Sequence, residues 1–207
     1  MRKTYKDIVY TVQDGVVRIT IHRPEVYNAF RSQTLEGLID ALRRADAEHR
    51  ANVTVLAGAG EKAFCTGGDQ KVRLSEDGLY GPRGTVGMPI EEMQTALRDL
   101  RKVSITRVQG FAIGRGNVFA TICDITLASE KANFGQVGPQ VGSVDPGWGT
   151  AHLAMSRPAW PASPGLERRA AELGGLTSYS RLTGSGHEPA HPFSGAWRAG
   201  LCAHAQR

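Results

Sequence analysis

The sequence predicts an α/β fold, and three observations carry that prediction. Short segments rich in Val, Ile and Thr alternate with segments whose apolar residues recur at helical spacing. Two glycine-rich loops, Gly67-Gly68 and Gly114-Arg115-Gly116, each follow a strand-like segment. This regular pattern runs to about Met155 and then stops. Strand–loop–helix alternation places backbone N–H groups at strand ends and helix starts, where anions and carbonyl oxygens bind.

The elements follow in order. Residues 8–13 and 16–22 read as strands joined at Asp14-Gly15, a two-residue hairpin turn. Val17, Ile19 and Ile21 share one face of the second strand. Leu35, Leu38, Ile39 and Leu42 recur at helical spacing, which predicts an amphipathic helix over 32–48. Residues 53–57 form a short strand, and the first glycine loop follows. Residues 74–88, rich in Gly, Pro and charge, read as a mobile surface loop. Ile90, Met93, Leu97 and Leu100 mark a second helix, and 104–108 a further strand. The second glycine loop, a buried helical segment over 117–123 and a strand over 125–128 complete the pattern.

Composition narrows the class. The 207 residues suit one domain with a sizeable core, or one domain with an appendage. Hydrophobic residues make up 41%, enough for a packed interior. The dispersed formal charge of +5 is too mild for a nucleic-acid footprint and suits an anionic small ligand. No apolar run approaches the roughly 18–20 residues that span a bilayer. The basic N-terminal residues have no apolar stretch behind them, so no signal peptide is expected. Cys65, Cys123 and Cys202 are odd in number and far apart, which makes neither a disulfide framework nor a metal-ligand spacing. The expectation is a cytoplasmic protein with no metal, no tightly bound cofactor, and no nucleic-acid or membrane partner.

After about residue 156 the character changes. No Val or Ile occurs beyond Val144, and five of the ten prolines fall between Pro158 and Pro192. Such a segment lacks the residues that offset ordering entropy, so 156–207 is expected to be poorly structured. Only 166–176 reads as a short helix.

Three segments carry chemistry. In Ala63-Phe64-Cys65-Thr66-Gly67-Gly68-Asp69-Gln70 two glycines allow close backbone approach to a ligand, and Asp69 is placed to cap the following turn. In Gly110-Phe111-Ala112-Ile113-Gly114-Arg115-Gly116-Asn117 a Gly-x-Gly at a helix start offers N–H groups to an oxyanion. It lacks the third glycine and downstream acid of a dinucleotide-binding unit. Residues 134–149, with five glycines and two prolines, read as a loop carrying Gln136, Ser143 and Asp145. Asp145 reads either as a helix N-cap or as an active-site acid or base.

In their order and spacing these segments resemble the crotonase (enoyl-CoA hydratase/isomerase) superfamily over about residues 5–155. Ile21-His22-Arg23-Pro24-Glu25-Val26-Tyr27-Asn28-Ala29-Phe30 resembles that family's first CoA-contacting segment, and the two glycine loops resemble its oxyanion loops. The resemblance implies a crotonase-like spiral of ββα units over 1–155, followed by a divergent tail. That tail, 156–207, resembles a truncated or frame-shifted version of the family's C-terminal part. Many members carry a glutamate early in the helix after the second loop and another in the third loop. Here those places hold Val118 and Gly138, which argues against a hydratase using two glutamates. Gly-Gly-Asp-Gln at 67–70, Gly-Gln-x-Gly-Pro at 135–139 and Val-Gly-Ser-x-Asp at 141–145 resemble the branch with 2-ketocyclohexanecarboxyl-CoA hydrolase and 1,4-dihydroxy-2-naphthoyl-CoA synthase, the hydrolase being favoured.

What the resemblance implies about roles is specific. The N–H groups of Gly68 and Arg115 are the oxyanion donors. Ser143 and Asp145 handle water or the ring-ketone oxygen, and Tyr80 closes over the substrate. Tyr27 and Ala29, then Thr66, Gly67, Asp69 and Gln70, then Phe111, Ala112, Ile113 and Gly114 line the acyl-CoA. Coenzyme A enters as part of the substrate. Gln136 and Gly138 resemble a pocket that holds bicarbonate in part of the synthase family. A homotrimer or homohexamer is implied. Arg115 stands where the family normally has glycine; if that position requires φ > 0, the residue adds strain of about 1 kcal/mol or more. Synthase-type ring closure, a generic enoyl-CoA hydratase/isomerase and a non-catalytic crotonase-like remnant are the contrasting readings.

Overall fold

The computed structural model describes residues 5–71 and 88–136, together with the strand 197–200. Strands β1 (Ile8–Gln13) and β2 (Val16–Ile21) form an antiparallel hairpin. Its turn residues Asp14 and Gly15 carry φ of 51° and 77°, the two successive positive values of the type I′ turn that Asp-Gly favours. Val17, Ile19 and Ile21 are completely buried, so the alternation read from the sequence decides which face of the hairpin becomes core.

Helix α1 (Ser32–Ala47) lays Leu35, Leu38 and Leu42, all fully buried, into the same core as β2. Its first turn is tied by Arg31 N–H donating to Thr34 Oγ1 at 3.2 Å. At its other end Lys102 Nζ donates to the carbonyls of Ala45 and Glu48, a cation on the negative end of the helix dipole.

After α1 the chain repeats one unit. β3 (Val53–Gly58), β5 (Val103–Val108) and β7 (Ile125–Ser129) enter one sheet. The short strand after each, β4 (Ala63–Cys65), β6 (Phe111–Ile113) and β8 (Asn133–Gly135), enters a second, parallel sheet in the order β4-β6-β8. Helix α2 (Ile90–Arg98) follows the first pair and α3 (Arg115–Ile122) the second. The larger sheet runs β1-β2-β3-β5-β7-β9 and is parallel from β2 to β7. β9 (Trp197–Gly200) adds antiparallel to β7 and is the described part of the tail. This is the spiral of ββα units that the resemblance implied. Among the described residues no helix is long and apolar enough to cross a membrane.

Two details differ from the sequence reading. β6 and β8 lie in segments read as loop; at three residues each they are too short for periodicity to reveal. Helix α3 starts at Arg115, two residues before the expected 117, with the second glycine loop at the helix start as read. The short helix expected over 166–176 and nearly all of the loop at 74–88 lie outside the described residues. The core joins the layers through aromatic rings: Phe30, Phe64 and Phe119 are buried, and the Phe30 and Phe119 centroids are 5.7 Å apart.

Candidate functional site

The first glycine loop continues β4 and is held from outside. Phe30 N–H donates to Gly67 O and Asp69 N–H donates to Phe30 O, both at 2.8 Å, which makes a parallel bridge between Phe30 and Gly68. In such a bridge the middle residue turns its own N–H away from the partner strand. Gly68 N–H therefore faces away from Phe30, while Gly68 O accepts from Gln70 Nε2 at 3.2 Å.

The second loop ends β6. Gly114 N–H donates to Gly135 O at 2.8 Å, and Gly114 O accepts from Val118 N–H and Gln136 Nε2, each at 3.2 Å. Gly114 has φ 57° and ψ −120°, a conformation that L-residues rarely adopt. The turn's demand for φ > 0 thus falls on Gly114. Arg115 is the first residue of α3 and its φ is not positive, so the strain anticipated for a non-glycine residue there does not arise. As the first helical residue, Arg115 has an N–H outside the i→i−4 ladder, at the positive end of the helix dipole.

The two loops touch. A Cβ on Gly67, whose φ is 86°, would lie 3.4 Å from Ile113 O and 3.6 Å from Arg115 N. A Cβ on Gly116 would lie 2.0 Å from Cys65 O, so α3 packs its backbone directly on β4. Burial pushes the Cys65 thiol up to about 12, against the opposing pull of the Gly67 N–H. At neutral pH it is a protonated packing group and not a nucleophile. The arrangement can offer N–H dipoles to a developing negative oxygen without a titratable donor.

The flanking segment gathers the expected ligand-side residues. Tyr27 and Phe111 meet edge to face at a centroid distance of 6.4 Å, and both rings stay exposed, at 45% and 43%. Thr66 Oγ1 donates to Tyr27 O at 3.3 Å. Ala29 and Ala112 are buried, and Ile113 is half-buried beside Gly67. Tyr27 and Asn28 both take positive φ, 55° and 56°. Asn28 is completely buried: its Oδ1 accepts from Arg23 N–H at 3.0 Å, and its Nδ2 donates to Ala59 O and Ala63 O at 2.9 and 2.8 Å. It clamps the Tyr27 turn onto β4.

Asp69, expected beside the acyl-CoA, faces inward. Its Oδ2 accepts from Arg23 Nη2 at 2.9 Å, and its Oδ1 accepts from Lys71 N–H at 3.0 Å, the capping role also expected of it. Between 63 and 70 and between 110 and 118 Asp69 is the only carboxylate. Val118, the place at which the resemblance implied a glutamate in many family members, is a buried core residue. Tyr80, Gly138, Ser143 and Asp145 lie outside the described residues. The sequence reading placed Arg23 and Asn28 in the segment resembling a CoA-contacting one and gave neither a role of its own. Their signal was available: an arginine and an asparagine beside a proline turn between the apolar ends Ile21 and Phe30.

Comparison with known proteins places this geometry in context. The sequence model of the enoyl-CoA hydratase/isomerase family matches residues 11–159. An enoyl-CoA hydratase subunit I from Geobacillus kaustophilus HTA426 is 26% identical with a TM-score of 0.68, over 84% of this chain and 64% of that one. An enoyl-CoA hydratase from Bacillus anthracis is 27% identical with a TM-score of 0.68, over 83% of this chain and 69% of that one. One from Mycobacterium avium subsp. paratuberculosis K-10 is 28% identical with a TM-score of 0.56, over 67% of this chain and 51% of that one. The chain thus spans 64% of the first of these solved relatives and 51% of the third.

Proposed function

The chain belongs to the enoyl-CoA hydratase/isomerase family, and from that premise we propose that it binds an acyl-CoA thioester and stabilises its enolate oxygen with the N–H groups of Gly68 and Arg115. The observation that carries the reading is the meeting of the two glycine loops, with the Gly67 α-carbon facing Arg115 N across a gap that one added methyl would nearly fill. Backbone donors suit an enolate because they are held in place by the fold, and losing one such donor typically costs about 2.7–4 kcal/mol of barrier. Tyr27, Thr66 and Phe111 would line the CoA arm, and the exposed aromatic pair supports that side as the ligand's entry.

The reaction proposed is cleavage of a cyclic β-keto thioester. Water adds to the ring ketone and the bond between that carbon and the α-carbon breaks. The bonding electrons pass into the thioester as an enolate. A proton on the α-carbon then completes an open-chain carboxylate thioester, as in hydrolysis of 2-ketocyclohexanecarboxyl-CoA to a pimeloyl-CoA type product. The oxyanion loops carry no carboxylate except Asp69, which is committed to Arg23. That supports a mechanism in which the third loop supplies the proton-handling groups, with Asp145 and Ser143 in that role and Tyr80 closing over the ring. The experiment is turnover of 2-ketocyclohexanecarboxyl-CoA, followed as appearance of the ring-opened thioester. Hydration of crotonyl-CoA at a higher kcat/KM than ring opening would overturn the proposed reaction and keep the acyl-CoA assignment.

A further inference from the structure

Beneath the first glycine loop lies a row of four alternating charges, three of them buried and the outer one, Arg31, half-buried. Arg31 Nε and Nη2 both donate to Asp7, to Oδ2 and Oδ1, each at 2.8 Å. Asp7 Oδ2 also accepts from Thr34 Oγ1 at 2.7 Å and lies 3.8 Å from Arg23 Nε. Arg23 then reaches Asp69 Oδ2 at 2.9 Å and Ala29 O at 2.5 Å. Asp7, Arg23 and Asp69 are only 4%, 8% and 5% exposed. Burying charges is expensive even when they are paired, and such sets add little net stability over apolar packing of similar shape.

The row ends at the loop. The two terminal nitrogens of Arg23 bridge Ala29 O and Asp69 Oδ2, and the neighbouring backbone bonds from Phe30 N–H to Gly67 O and from Asp69 N–H to Phe30 O bridge the same two segments. Gly68 sits between the two backbone bonds. A glycine pair has wide conformational freedom of its own. Its N–H direction must therefore be set by what grips Gly67 and Asp69. A planar guanidinium fork does this with two fixed hydrogen bonds, which a lysine ammonium would not reproduce in the same geometry.

We infer that Arg23 is a positioning residue, which through its buried ion pair with Asp69 holds the Gly68 N–H in the direction needed to bond the thioester oxygen. The ligand part of this inference rests on the acyl-CoA reading; the orientation part does not. Arg23 touches no reacting atom. Its loss should lower kcat more than it weakens binding, since a small misplacement of a donor can cost about 10²-fold in rate.

The test uses the full chain and the variants Arg23→Gln, Arg23→Lys and Asp69→Asn, with butyryl-CoA labelled with carbon-13 at its thioester carbonyl as probe. Bound to the unmutated protein, the labelled carbonyl stretch should move to lower frequency. In Asp69→Asn and Arg23→Gln that shift should be lost while the dissociation constant stays within about threefold; Arg23→Lys should restore part of it. A full shift in a folded Asp69→Asn would overturn the inference. A second readout needs no ligand: amide hydrogen exchange at Phe30 and Asp69, whose N–H groups make the two backbone bonds on either side of Gly68. Those amides should exchange at least tenfold faster in the variants, with α1 amides unchanged. Equal acceleration across both regions would reduce the pair to a plain stabilising contact and overturn the inference. If the unmutated protein ignores butyryl-CoA but the local exchange effect appears, the acyl-CoA reading fails and the orientation role stands.

Discussion

Gly116 approaches Cys65 so closely that a Cβ on the glycine would meet the Cys65 carbonyl oxygen at 2.0 Å. The offending atom is backbone on a buried strand, so no side-chain rotation relieves the clash. Gly116→Ala should destabilise the fold by about 3 kcal/mol or unfold it, at the upper end for overpacking. Urea denaturation reads this directly, and an unchanged midpoint would mean that α3 does not pack on β4 as described.

Arg115 lies in helical conformation, with the positive φ on Gly114. Arg115→Gly therefore relieves no strain. It should lower stability by about 0.5–1 kcal/mol through the greater backbone freedom of glycine. Thermal unfolding of the pair decides; a higher Tm for the glycine variant would show the arginine to be strained after all.

Asp145→Asn keeps the size of the side chain and removes its basic carboxylate. If Asp145 handles the proton in ring opening, kcat should fall by about 10²–10⁴-fold with the dissociation constant for the substrate nearly unchanged. Turnover at the unmutated rate would remove Asp145 from the mechanism.

The carboxyl of Asp7 is under opposing influences. Burial pushes its pKa up, but the hydrogen bonds from Arg31 and Thr34 and the charges of Arg31 and Arg23 outweigh burial and hold it below the ordinary value of 3.8. A carboxylate depressed in the folded state contributes stability that is present above its unfolded pKa and is lost as pH falls through the folded one. The difference in urea midpoint between the unmutated protein and Asp7→Asn should be constant near neutrality and shrink below about pH 4. A difference that grows on acidification would reverse the assigned sign.

Cys65 and Cys123 are buried, and burial raises both thiols to about 12. Neither should react with a thiol reagent at pH 8 in the native protein, and both should react once urea is added. Peptide mapping identifies the modified residue. Fast native labelling of Cys65 would show that the first glycine loop opens readily.

The fold was legible where the information is local. The Asp14-Gly15 turn, the buried face of β2 and the apolar stripe of α1 each depend on residues a few positions apart, and all three appear as read. β6 and β8 were not legible, because three residues hold less than two periods of alternation. The site divides the same way. Both glycine loops stand out in the sequence, whereas the inward turn of Asp69 depends on Arg23, 46 positions away.

By itself, then, the sequence determined an α/β chain with two glycine loops at strand ends and the family to which their spacing belongs. Tertiary structure alone decided which residues face one another. It set Gly67 against Arg115 N, joined Tyr27 to Phe111, placed the positive φ on Gly114, and paired Asp69 with Arg23 in the interior. The physical reason is that periodicity and turn chemistry act over a few residues. Partners across a spiral of ββα units are chosen only when its strands close in register and the loops between them are brought together.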